Sequence, residues 1–244
     1  MKMILFMVVV FALLTSLGVS AKEHEKDIIQ TSQGELEITF LGHGTLMFCF
    51  KNQVIHIDPY SRVADYSVLP KADLILITHD HGDHLDLKAL EQIKTENTTV
   101  FLTEKCLEKC PTGKILKNGD VQTWNNIKIE AIPAYNIVHK RGNDQPYHPK
   151  GEGNGYILTI ADKRIYIAGD TENTPEMKAL KGIDIAFLPM NLPYTMTPEM
   201  VADAAKSFKP KILYPYHYGD TDTQQLVDLL KNFPNTEVRI RQMQ

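Results

Sequence analysis

Three short apolar runs in this chain each stop at a residue of the kind that binds metal. Residues 74–78, Leu-Ile-Leu-Ile-Thr, lead into His79; residues 165–169, Ile-Tyr-Ile-Ala-Gly, lead into Asp170; residues 212–216, Ile-Leu-Tyr-Pro-Tyr, lead into His217. Runs this brief and this rich in isoleucine and tyrosine read as buried strands rather than helices. A strand that is apolar on both faces needs cover on both sides, so the fold must be layered. Strand ends along one edge of an open sheet are also where α/β proteins gather their sites. The remaining pattern agrees with this. Two or three strands are expected between residues 35 and 60, with turns at Gly42-His43-Gly44 and Lys51-Asn52. Further strands are expected at 99–103, 121–124, 127–132, 156–160, 183–188 and 238–241. Helices are expected at 86–94, 175–181, 198–208 and 223–233, the last three opened by Thr174, Thr197 and Asp222. Strands first, then strands alternating with helices, predict an α/β sandwich with helices outside and two sheets within. The polar stretch 134–155, bearing glycine and proline, reads as a long functional loop.

The densest chemistry follows the first run. His79-Asp80-His81-Gly82-Asp83-His84 sets three imidazoles and two carboxylates within six positions. A solvated turn does not require that density. Imidazole with carboxylate suits zinc, iron or manganese. In extended backbone His79 and His81, two residues apart, face the same side. Gly82 lets the chain turn so that Asp83 and His84 face a second ion. Asp170 alone would pass as a turn aspartate after glycine, but its place at a strand end beside the other two makes it a ligand candidate.

Thr78-His79-x-His81-x-Asp83-His84, then Ala168-Gly169-Asp170-Thr171, then Pro215-Tyr216-His217-Tyr218-Gly219, resemble the metallo-β-lactamase superfamily. Within it they resemble the branch that holds ascorbate-6-phosphate lactonase-like and uncharacterised metal-dependent hydrolases. Leu41-Gly-His-Gly-Thr45, Ile57-Asp58-Pro59, Leu188-Pro-Met190 and Tyr194-Thr-Met196 extend the likeness over nearly all of the chain after residue 21. The resemblance implies a four-layer αββα sandwich. It also implies two divalent ions, zinc first, with manganese or iron as alternatives. His79 and His81 would bind one ion, Asp83, His84 and His217 the other, with Asp170 bridging. Many relatives place a third histidine for the first ion directly after the strand that here ends Pro133-Ala134-Tyr135, where this chain has Asn136. His148 is the expected substitute, with His139 and Asn136 as alternatives. Tyr147 and Pro149 stiffen the backbone at His148, whereas Lys140 and Arg141 beside His139 would oppose a dication.

The implied reaction is hydrolysis of an ester, lactone, amide or phosphoester of a small substrate by a hydroxide held between the ions. Asp83 would orient that hydroxide and pass its proton to the leaving group. Asp58 reads either as a support for a ligand histidine or as a strand-end residue before proline. His43 reads as a substrate contact or as a loop histidine bonded to backbone. A true β-lactamase would carry its third histidine in a Gly-His-Thr-like turn, which neither His139 nor His148 occupies. A di-iron redox or binding protein is the non-hydrolytic alternative.

The start of the chain predicts export. Met1-Lys2-Met3 precedes an apolar stretch at 4–14, and Val19-Ser20-Ala21 has the small-x-small form that signal peptidases cut. Residues 1–21 are therefore expected to be a signal peptide, leaving a periplasmic or secreted domain at 22–244. Thr15, Ser16 and Gly18 dilute the run below what a stable membrane anchor needs. A formal charge of −4 with scattered lysines leaves no electrostatic footprint for nucleic acid, so the expected partner is a small-molecule substrate. Cys49, Cys106 and Cys110 are odd in number, and no nearby histidine completes a zinc site around the latter two.

Overall fold

The computed structural model describes residues 24–244, so the leader expected at 1–21 lies outside the described residues. The first seven strands are β1 (Lys26–Thr31), β2 (Gly34–Gly42), β3 (Thr45–Phe50), β4 (Gln53–Ile57), β5 (Leu74–Leu76), β6 (Thr99–Leu102) and β7 (Lys114–Ile115). They form one sheet in chain order. β1 to β4 run antiparallel as a meander, and β5, β6 and β7 are then added in parallel. The second sheet repeats this plan. Its strands are β8 (Val121–Trp124), β9 (Ile127–Ala134), β10 (Gly153–Ile160), β11 (Lys163–Ile167), β12 (Ile185–Pro189), β13 (Ile212–Tyr216) and β14 (Glu237–Val238). Four are antiparallel and three are added in parallel.

Alternation along the meander explains how the sheets meet. Leu36, Ile38 and Phe40 of β2, with Leu46, Phe48 and Phe50 of β3, share one core cluster with Phe187 of β12 and Tyr214 of β13. Phe40 lies 5.1 Å from the Tyr214 ring and Phe48 lies 6.1 Å from Phe187, ring centre to ring centre, so aromatic contacts join the two sheets. Met47 points to the opposite face, into a second cluster with Ile75, Ile77, Leu90 and Ile93. That cluster lies under α1 (Leu87–Ile93). Against the second sheet pack α2 (Pro175–Lys178), α3 (Pro198–Phe208) and α4 (Thr223–Leu230), with Phe208 of α3 edge-on to Tyr166 at 6.1 Å. The expected αββα sandwich is thus the fold observed. Asp86, Thr174, Thr197 and Asp222 each cap a helix by accepting a backbone N–H in its first turn. No helix among the described residues is long and apolar enough to cross a membrane.

Several elements differ from expectation. β1 escaped notice because its two isoleucines are adjacent rather than alternating, with Ile28 exposed and Ile29 buried. A distant partner secures it: both Asp27 oxygens accept from Arg241 Nη2, at 2.7 and 2.8 Å. The polar loop is 135–152 rather than 134–155, because Ala134 pairs with Gly153 and extends β9 and β10. α2 and α4 stop at Lys178 and Leu230, short of the expected 181 and 233. The last strand is Glu237–Val238 rather than 238–241. All three cysteines are free thiols, Cys106 and Cys110 buried and Cys49 partly so.

His56 on β4 is wholly buried and its Nε2 lies 3.1 Å from the Pro70 carbonyl. Burial lowers its pKa from 6.5 to about 4, although that hydrogen bond opposes the shift. A histidine depressed on folding contributes stability above its unfolded pKa and loses it as pH falls toward the folded value. Urea denaturation from pH 7 to 4 should therefore show a component of about 3 kcal/mol lost on acidification. His56→Gln keeps a donor for Pro70 and should lose that component, so that its stability falls less between pH 7 and 4 than that of wild type, whereas an equal fall in both proteins would contradict a buried neutral imidazole.

Candidate metal centre

The site forms where β4, β5, β11 and β13 end. Asp58 follows β4 with φ of 45°, and its N–H donates to Leu76 O at 3.0 Å. This turns a wholly buried carboxylate toward the neighbouring strand end. One oxygen accepts from Thr78 N at 2.8 Å. The other accepts from Thr78 Oγ1 at 2.6 Å and from His84 Nδ1 at 2.8 Å. Asp58 is therefore a support for a ligand-type histidine, the first of the two readings. With Nδ1 donating to Asp58, His84 leaves Nε2 to face the cleft. Gly44 makes room for this ring, since a Cβ there would lie 2.9 Å from His84 Cε1.

The residues expected as ligands converge in two sets. Donor atoms of His79, His81 and His148 lie within 4.8 Å of one another, and so do those of Asp83, His84 and His217 together with His43. Asp170 stands between the sets. Its Oδ2 is 3.3 Å from His148 Nε2, and its Oδ1 is 3.4 Å from His84 Nε2 and 3.7 Å from His217 Nε2. The Nε2 atoms of His79, His84 and His217 and Oδ1 of Asp170 are buried without a hydrogen-bond partner. Each unsatisfied buried group costs about 1–3 kcal/mol, so four of them converging on one space require compensation. A cation provides it, and imidazole with carboxylate is the donor set for a divalent transition metal.

Charge in the site follows the same geometry. Burial works against charge on His84, but Asp170, Asp58 and Asp83 outweigh it and push its pKa up to about 10. Burial likewise opposes ionisation of Asp170, yet His217, His84 and His148 hold its carboxyl well below the usual range. His79 shifts well below the ordinary histidine value through burial and the imidazoles of His84, His148 and His81. Asp83 is the more open carboxylate, with its side chain 35 % exposed. It contacts His43 at 3.0 Å through Oδ2.

The loop candidates separate clearly. His148 is buried among the ligand-type residues, with Nδ1 2.7 Å from Asn136 Oδ1. Asn136 thus contacts the imidazole behind the site. His139 faces elsewhere, with Nδ1 2.8 Å from Glu172. His43 is bonded to backbone, as one of its two readings has it, its carbonyl accepting from His217 N at 3.0 Å, and its ring centre lies 3.7 Å from that of His217. Two residues were missed. Asn191, whose amide nitrogen is 3.2 Å from His217 Nδ1, follows β12 at a strand end and so carried the same placement signal as Asp170. Glu172, buried with its carboxylate enclosed by backbone N–H groups, carried none, because glutamate in a polar stretch reads as exposed. A cleft of about 460 Å³ opens over His81, Asp83, His148 and His217, with Tyr147 and Tyr194 at its wall.

Residues 37–217 match the family described as the beta-lactamase superfamily domain. Among similar proteins named UPF0173 metal-dependent hydrolase, one from Pelotomaculum thermopropionicum is 28 % identical over 222 residues, 84 % of this chain and 96 % of that protein. Another, from Ligilactobacillus salivarius, is 32 % identical over 215 residues, 82 % and 93 % of the two chains. A crystal structure from Parabacteroides distasonis, grouped with the metal-dependent hydrolases, superposes with a TM-score of 0.87 at 53 % identity, covering 91 % of this chain and 100 % of that one. A metallo hydrolase of Ignicoccus hospitalis shares the fold, with a TM-score of 0.69 at 23 % identity over 84 % and 94 % of the chains. With the family matched across the residues that build the site, the chain belongs to the beta-lactamase superfamily and is a metal-dependent hydrolase.

Proposed function

We propose that this hydrolase binds two divalent ions, zinc first with manganese or iron as alternatives, and cleaves an ester, lactone, amide or phosphoester of a small substrate. The observation that carries the reading is the division of the donors into two sets with Asp170 between them. His79, His81 and His148 would hold one ion, Asp83, His84 and His217 the other, and Asp170 both. Two ions so held would supply Lewis-acid charge and make water a nucleophile near neutral pH.

The protein's own groups set the direction of the reaction. Asp58 keeps the His84 ring aligned through its Nδ1 hydrogen bond, and Asn191 stands behind His217. Asp83 is the carboxylate nearest to solvent, so it is the group to orient the attacking water and to carry its proton to the leaving group. The cleft over these residues is of small-molecule size, and its tyrosines give an apolar wall against which a substrate can be oriented. We also propose that residues 1–21 direct export and are removed, leaving the hydrolase outside the cytoplasm.

Asp170→Ala should lower turnover by at least about 100-fold and reduce bound metal, with an unchanged far-UV circular dichroism spectrum, because the apolar core is separate from the site. Two metals per chain and full turnover in that variant would refute the bridging role. The assay is a panel of lactones, phosphodiesters and β-lactams offered to zinc-loaded and manganese-loaded protein. Metal analysis after anaerobic purification reports on the redox alternative, for which stoichiometric iron with visible absorption is the signature.

His148→Ala and His139→Ala separate the two loop histidines. The first should lose about one metal per chain and the second none; the reverse would reassign the ligand. Export is checked by fractionation and N-terminal sequencing: a soluble product starting near Lys22 is expected, and an intact leader in the membrane fraction would contradict it.

A further inference from the structure

Asn136 has a side-chain amide whose orientation is dictated by its neighbours. Its Nδ2 donates to Glu172 Oε1 at 3.1 Å and to the Tyr194 carbonyl at 2.9 Å. A carbonyl cannot donate, and the Glu172 carboxylate already accepts the backbone N–H groups of Ile137, Val138 and His139, each at 2.7 Å. Both groups that Asn136 faces on that side are therefore acceptors, and only the NH2 end of the amide fits there. Its oxygen must point the other way. There it accepts from His148 N at 2.9 Å and meets His148 Nδ1 at 2.7 Å. An amide oxygen only accepts, so Nδ1 must carry a hydrogen, and in a neutral imidazole the lone pair is then on Nε2. That atom is the one 3.3 Å from Asp170.

We propose that Glu172 is a positioning residue that acts through Asn136: by fixing the amide, it fixes His148 as the Nδ1–H tautomer and so selects Nε2 as the ligand atom. This rests on the reading of His148 as a metal ligand. Glu172 lies two residues after Asp170, so one segment supplies a carboxylate to the donor cluster and the anchor for a histidine arriving from the 135–152 loop. The same segment is joined to the start of that loop, with Glu172 N donating to Tyr135 O at 3.0 Å and Tyr135 N donating to Thr171 Oγ1 at 3.0 Å. Glu172 is wholly buried and lines neither the donor cluster nor the cleft, and Asn136 is the side chain that links its carboxylate to the His148 ring.

The direct measurement is the ring nitrogen spectrum of His148 in metal-free protein at alkaline pH, where imidazole is neutral, assigned by comparison with His148→Ala. Wild type should show the Nδ1–H tautomer. Glu172→Gln weakens one of the two acceptors that hold the Asn136 amide nitrogen and leaves the Tyr194 carbonyl as the other. It should give a mixture of tautomers and weaken zinc at one of two sites by about 10- to 100-fold. If Glu172→Gln does not fold, Asn136→Ala leaves the Glu172 carboxylate among its backbone donors and should produce the same two changes. His139→Ala removes a different contact to Glu172 and should change neither readout. An Nε2–H tautomer in wild type, or an unshifted tautomer and full zinc affinity in both single variants of the pair, would overturn the positioning role. Full metal content in His148→Ala would instead overturn the ligand assignment, which the tautomer measurement does not depend on.

Discussion

The site depends first on a carboxylate that does not face the cleft. Asp58 spends one oxygen on the backbone of Thr78 and the other on the Thr78 hydroxyl and His84. A buried carboxylate with too few donors is costly, and three hydrogen bonds satisfy it while they fix the exits of two neighbouring strands relative to each other. The path of the His79–His84 segment follows from that. Because β5 leaves the sheet with Thr78 pinned to Asp58, His79 emerges toward the cleft and the turn that follows returns His84 to the same carboxylate.

A second network of the same logic is built from Glu172 and Asn136 in place of Asp58. The two devices differ in reach. Asp58 acts directly on His84 within one sheet, whereas Glu172 acts through an intervening amide on a histidine 24 positions away along the chain. The longer path suits a ligand on a loop, where the backbone alone does not fix the ring. In both, the group behind the histidine decides which nitrogen is offered.

What was legible in the sequence follows from the range of the interactions involved. Strands 74–78, 165–168 and 212–216 announced themselves by composition, and the ligand-type residues at their ends by type and placement, because both signals are local. The assignment of His148 over His139 rested on flanking Tyr147 and Pro149, and the structure places His148 with His79 and His81 while His139 contacts Glu172. β1 was not legible because its two isoleucines are adjacent rather than alternating, and the ion pair that helps secure it joins Asp27 to Arg241, across almost the whole chain. Glu172 was not legible because nothing local distinguishes a glutamate that will be buried among backbone donors from one that will be solvated.

The matching order of strands in the two sheets has a thermodynamic side. The first sheet and its connections supply His79, His81, Asp83 and His84, while the second supplies His148, Asp170 and His217. Neither half possesses a complete set of donors. An ion at this seam would bind only when the halves are docked, so its binding free energy adds to the cohesion between them by mass action, increasing with the logarithm of free metal concentration. The hydrolase would thus be a sandwich whose two slices are held along one edge by its own cofactor, and its resistance to unfolding would report the metal supply of its surroundings.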